Sequence, residues 1–213
     1  MPRMALLHRA DLTPTKLELL AAWLPGCTWF QEGSADGLER VAAYRFDDPA
    51  GEVGMETMLV AVGDGPVYQA PLTYRGAPLD GAEEWLIGTT DHSVLGRRWV
   101  YDACGDPVYA QALAGAVLAD TGQADEMIEI DGELRRREPT MTITGSGVHD
   151  AEVPVVGTIR KVEQGDPTLI VTDTVELVVV RRLAGIDARP GATLTGTWSG
   201  RPTPQPLAYA SPR

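Results

Sequence analysis

Residues 51–106, GEVGMETMLVAVGDGPVYQAPLTYRGAPLDGAEEWLIGTTDHSVLGRRWVYDACGD, decide the fold. Runs of β-forming residues alternate here with Gly, Pro and Asp clusters, the pattern of strands joined by tight turns. Val53 to Val62 has a period of two that places Val53, Met55, Thr57 and Leu59 on one face, with Glu52, Glu56 and Met58 among those on the other. Gly63-Asp64-Gly65-Pro66 then turns the chain into a strand from Val67 to Tyr74. Pro71 cannot donate to a ladder, so that strand is expected at an edge or with a bulge. Connections this short predict an antiparallel meander.

Working outward, a strand from Gly37 to Asp48 precedes the meander, and a helix from Thr13 to Leu24 precedes that strand. Thr13 offers a cap, Pro14 suits a first helical position, and Thr15 with Glu18 resembles a capping box. Trp23, Trp29 and Phe30 are expected to pack this helix on the sheet. After the meander, Arg97 to Asp102 reads as a strand, and Asp106-Pro107 opens a second helix to Asp120. The chain then returns to β: Ile128 and Ile130 before an Asp131-Gly132 turn, Thr140 to Thr144, Val153 to Val162, Leu169 to Thr172, Val175 to Leu183 and Ala192 to Trp198. The run LVVVRRL is apolar enough for a central strand, and the tail with Pro202, Pro204 and Pro206 is expected as an extended strap. The fold class is α+β, mainly antiparallel sheet with two principal helices. The expected division is an α+β region over residues 1–104 and a helix plus β-rich region over 105–213.

The net charge is −12, from 30 acidic against 18 basic residues, and repels phosphate backbones and anionic lipid. Nucleic acid and membrane are therefore excluded as partners, and Arg135-Arg136-Arg137, set between Glu133 and Glu138, reads as a solvated face. The opening MPRMALLHRADL is broken by charge before a signal-peptide core forms, and the expected location is cytoplasmic. Cys27 and Cys104 are read as reduced, small buried hydrophobes. His8, His92 and His149 lack ligand spacing, so no metal and no cofactor is expected.

Three constellations invite chemistry. Asp91-His92-Ser93 suggests a triad, but neighbours in one strand or turn point apart, and a hydrogen-bonded structural role fits His92 better. Glu52 and Glu56, with Glu83 or Glu84, suggest a carboxylate pair, although an exposed sheet face kept soluble explains them more simply. The aromatic set Tyr68, Tyr74, Arg75, Trp85, Trp99 and Tyr101 suits a sugar, because rings stack on pyranoses and Arg supplies fixed donors, and with His92 it forms the candidate carbohydrate- or partner-binding group. Core packing is the competing role.

PTKLELLAAWLP, GEVGMETMLV, VYQAPLTYRGAPL, IGTTDHSVLGRRWVYDACGDPVY and VEQGDPTLIV followed by LVVVRRL together resemble the front half of maltokinases. Those bacterial kinases phosphorylate maltose with ATP, on a kinase fold like that of aminoglycoside phosphotransferases preceded by a β-rich N-terminal cap. The resemblance places a phosphate loop at Glu163-Gln164-Gly165-Asp166-Pro167-Thr168, where the kinases have Glu-Gln-Ser-Asn-Thr-Ser. Here Pro167 removes an amide donor and the Asp166 carboxylate would face like charge. The lysine that holds nucleotide phosphates in the kinases falls at Val178, Val179 or Val180, ahead of Arg181-Arg182. The sequence ends where the larger catalytic lobe would begin, so the reading expects no stand-alone kinase.

What the resemblance implies is a non-catalytic cap-like module with a degenerate small lobe, acting in glycogen, trehalose or maltose metabolism by binding a partner protein or a carbohydrate. Alternatives are a branching-type enzyme on α-glucans and a small-molecule carrier. The first of these resembles long barrel proteins whose alternating pattern is missing here.

Overall fold

The computed structural model describes residues 4–7, 11–130, 133–183 and 189–213. The Asp131-Gly132 turn and His8 lie outside them. In chain order the strands are β1 (Met4–Leu7), β2 (Leu12–Thr13), β3 (Leu38–Phe46), β4 (Gly54–Val62), β5 (Tyr68–Arg75), β6 (Leu86–His92), β7 (Gly96–Asp102), β8 (Asp125–Ile130), β9 (Glu133–Arg136), β10 (Met141–Gly145), β11 (Ile159–Glu163), β12 (Thr168–Thr172), β13 (Val175–Val179), β14 (Ala192–Trp198) and β15 (Arg201–Pro212). Helix α1 covers Lys16–Trp23 and α2 covers Pro107–Leu118. Mostly antiparallel sheets with two helices make an α+β fold, as the sequence predicts.

The first sheet has the order β2-β6-β7-β5-β4-β3 and the second β10-β14-β15-β13-β12-β11. A small sheet, β1-β8-β9, includes a parallel pair, β1 with β8. Helix α1 packs Leu19 and Leu20, and the turn after it Leu24, on the face of the first sheet that carries Met58, Val60, Ala70 and Leu72. Helix α2 lies between the two large sheets, so Leu113, Ala114 and Val117 share one cluster with Tyr44 and Met55 on one side and Ile143, Leu177 and Leu207 on the other. Burying such surface at roughly 25 cal/mol per Å² is the main source of stability.

Local chemistry explains the element ends. Thr15, not Thr13, caps α1: its side chain accepts from the Glu18 amide while the Glu18 carboxylate accepts from the Thr15 amide, a complete capping box, and Pro14 stands one residue outside it. Asp106 caps α2 with Pro107 at the first turn. Small residues let α2 approach β10 closely, since a Cβ on Gly145 would sit 2.1 Å from the Ala116 carbonyl oxygen and one on Gly147 2.0 Å from that of Leu118.

Several expectations are corrected. β4 is buried on both faces, because α1 covers one and α2 the other, so its alternation does not separate core from solvent. β5 is an interior strand, and Pro71 fits it for a local reason. β7 pairs with Leu72–Arg75, residues 181–183 run beside the Val67–Gln69 end, and Pro71 falls in the gap between them. Residues 151–158 form no strand. They are tied down singly, with the Val156 amide donating to Gln111 and the Gly157 and Thr158 amides to Asp173. The proline-bearing tail is no strap: β15 lies between β14 and β13 in the middle of the second sheet. Its Leu207–Ala210 segment is buried, while Pro202, Pro204 and Pro206 fall in the half where the β14 ladder is irregular.

Candidate functional site: the junction of the two sheets

The residues of interest gather where the chain passes from one sheet to the other. β13 ends at Val179, the Val180 amide still donates to the Leu207 carbonyl of β15, and residues 181–183 leave the second sheet to run beside β5, with the Gln69 amide donating to the Arg181 carbonyl and the Leu183 amide to that of Val67. Gln69 secures this crossing from inside. Its buried side-chain amide donates to the carbonyls of Val180 at 2.8 Å and Leu207 at 2.9 Å.

Arg181 is fully buried at the crossing. Nη2 donates to Asp102 at 2.6 Å and to the Cys104 sulfur at 3.1 Å, Nε donates to Thr168 Oγ1 at 2.8 Å, and the guanidinium lies 4.7 Å from the centre of the Trp29 ring. Burial alone would lower the Arg181 pKa, and the neighbouring Asp102 carboxylate outweighs it and raises it. The cation is permanent. Burial pushes the Cys104 thiol well above its usual range, so no thiolate forms there.

The segment read as a phosphate loop is the connection between β11 and β12, and its own groups fill it. The Asp166 carboxylate accepts from the amides of Arg181 at 3.1 Å and Arg182 at 3.2 Å. Thr168 donates to the Gly165 carbonyl and accepts from Arg181, so its hydroxyl is turned inward. The Asp166-Pro167 peptide is cis. Glu163 is paired with Lys161 at 2.6 Å, and Gln164 is exposed. Val179 and Val180 are buried in the apolar cluster, with Val178 packed against it. At the three positions where the resemblance would put the kinases' lysine, the chain has core.

The seven aromatic and polar candidates do not converge on one surface. Direct cross-strand pairs share a face, which sets Tyr68 opposite Val60 on the α1 side and pairs Arg75 with Trp99 and Thr73 with Tyr101 on the α2 side. Tyr68 is buried against Trp29 and Phe30, its hydroxyl held by the Gln31 amide and Glu32. The Tyr74 hydroxyl donates to Glu56. Arg75 forks onto Asp106, with both bonds at 2.7 Å. Tyr101 accepts from the Leu79 amide and clusters with buried Trp85 and half-buried Trp99. His92 stands apart, at the turn into β7, where its Nδ1 accepts from the Val94 and Leu95 amides. The arrangement brings Trp85, Trp99 and Tyr101 together, with Arg75 beside Trp99, and leaves Tyr68, Tyr74 and His92 elsewhere.

The other constellations also resolve. Asp91 pairs with Arg97 and Ser93 accepts from the Asp11 amide, so no triad forms with His92. Glu52, Glu83 and Glu84 are exposed, but Glu56 is not on a solvated face: it is 4 % exposed and ion-paired with both Lys16 and Arg45. Burial alone would raise its pKa, and the two cations outweigh it, bringing it down to about 2. The basic run is solvated in part: Arg135 and Arg136 are exposed, and Arg137, half-buried, meets Glu126 at 3.5 Å. Among the described residues no group of three His, Cys, Asp or Glu side chains comes together as a metal site, and no helix is long and apolar enough to cross a membrane.

Sequence reading missed Asp102 and Thr168 as side-chain partners of Arg181, and Gln69 as the residue that secures the crossing. The available signal was a polar residue within each of three strands that are otherwise apolar at that point. Residues 23–106, from the end of α1 to the cap of α2, match the family of the maltokinase N-terminal cap domain. The match falls on the cap part of the resemblance and does not extend to VEQGDPTLIV or LVVVRRL. No curated protein sequence matches the chain.

Proposed function

We propose that the chain, with a maltokinase-type cap over residues 23–106, is a non-catalytic docking module that binds a partner protein of glycogen, trehalose or maltose metabolism. The observation that carries this reading is the Asp166 carboxylate lying on the amides of Arg181 and Arg182, in the loop where kinases of the resembled type hold phosphate. A fixed carboxylate repels a triphosphate, and the buried valines beside it supply no compensating cation. Phosphoryl transfer needs a phosphate clamp in place with the metal and base. A protein partner is favoured over a sugar because Tyr68, Trp85 and Tyr101 are buried and present no free ring face to a pyranose.

The test is titration of the purified chain with ATP and magnesium, followed by assay of maltose phosphorylation. The expected result is no rise in melting temperature and no labelled sugar. Transfer to maltose at an enzyme-like rate would overturn the proposal. Incubation with amylose or glycogen separates the α-glucan enzyme reading, and unchanged chain length and branching is the expected outcome.

A further inference from the structure

The small sheet is fixed to the body at its root. Where the chain leaves for β8, the Gln123 side chain donates to the Met141 carbonyl and accepts from the Ile143 amide, both at 3.0 Å, and the Ala124 amide donates to the Arg45 carbonyl. Where it returns after β9, the Thr140 hydroxyl accepts from the Ala43 amide at 2.9 Å and donates to the Ala43 carbonyl at 3.1 Å. Between these two pins lie β8 and β9, with β1 paired along β8.

Beyond the root, the apolar packing that joins the two large sheets is missing. Met127 and Ile128 are half-buried, Leu134 is 57 % exposed, and none of the three belongs to an apolar cluster among the described residues. Charge reaches the body instead. Glu126 lies 3.4 Å from Arg45 Nε, while Arg45 Nη2 holds Glu56 at 3.0 Å. That Nε is buried and has no hydrogen-bond partner among the described residues, so Glu126 meets it as a charge and not along a hydrogen bond. An ion pair of this kind contributes little, and a segment with few buried apolar contacts opens at low free energy. All three strands lie outside residues 23–106, whereas Arg45 lies within them.

We propose that β1, β8 and β9 form an arm that opens as one unit while both large sheets stay folded, with Glu126 on Arg45 as its latch. Glu56 keeps Arg45 in place in either state, so the latch site is ready-made. Opening gives the buried Nε to water, which offsets the ion pair lost and keeps the two states close in free energy.

Native-state hydrogen exchange of the full chain, read residue by residue by NMR, tests this. Amides of β1, β8 and β9 are expected to be protected but to exchange on the order of a hundredfold faster than those of Met58 to Val60 in β4. Glu126→Gln should speed exchange about threefold in all three strands together and leave β4 unchanged, which also shows that the variant is folded. An arm as slow to exchange as β4 overturns the proposal, and so does one that exchanges at free-peptide rates and is therefore never closed. An unchanged β8 in the variant removes the latch. Acceleration confined to β8, with β1 and β9 unaffected, replaces the single unit with fraying of one strand and overturns it as well.

Discussion

Arg181 and Asp102 meet at 2.6 Å, both buried, and through them β7 of the first sheet is joined to the segment leaving β13 of the second. The guanidinium keeps one nitrogen, Nη1, without a protein partner. Removing one member of a buried pair strands the other charge, which costs roughly 3–5 kcal/mol. Arg181→Met is expected to lower unfolding free energy by that amount in urea titration. Adding Asp102→Asn should restore part of it, since the double variant strands neither charge.

The Glu56 carboxyl is held at about 2 in the folded protein against an ordinary glutamate value of 4.5. Its pKa is depressed on folding, so its contribution is present above about pH 4.5 and is lost as pH falls toward 2. Stability measured by chemical denaturation is expected to decline across that window. Glu56→Gln should be less stable at neutral pH and show a shallower decline on acidification.

Burial pushes the Cys27 thiol up to about 12, with the Asp102 carboxylate adding to the effect. Cys104 is fully buried, and its thiol too is pushed well above its ordinary range. Neither forms appreciable thiolate at pH 8, and the thiolate is the reacting species. Alkylation by iodoacetamide, followed by mass spectrometry, should be slow at both positions in the native protein and fast in denaturant.

Gly147 is where loop and helix touch backbone to backbone, 2.0 Å being available for an added Cβ beside the Leu118 carbonyl. Gly147→Ala must move α2 away from the second sheet. The expected cost is about 1–3 kcal/mol, the usual range for overpacking, read as a lowered melting temperature. Gly33→Ala, whose Cβ meets nothing within 4 Å, is the control that should change little.

The strands whose alternation ended in clear turn residues were legible in sequence. β14 begins and ends where the pattern places it, and α2 starts at the Asp106-Pro107 signal. What stayed hidden depended on partners distant in the chain. Glu56 looks like a surface carboxylate until α1 folds over it and supplies Lys16, a contact forty positions away. Pro71 looks like an edge residue because sequence does not say that one neighbour strand stops just before it and another begins just after. The tail looks like a strap because its prolines come first and its buried LAYA segment last. Of the candidate site, only the resemblance marked Glu163 to Thr168 and the Val178–Val180 run as positions of interest. That Asp166 turns onto two amides fifteen and sixteen positions away was not legible.

The place of β15 between β13 and β14 has a consequence for how the molecule is made. Synthesis is vectorial, and domains form as their segments emerge. Six strands of the second sheet cannot close until the residues from Arg201 onward have cleared the ribosome, because the strand that joins the two halves is translated after all the others. Until then β13 and β14 expose the edges that β15 will later occupy, and a stalled nascent chain is the form of this protein most in need of a chaperone.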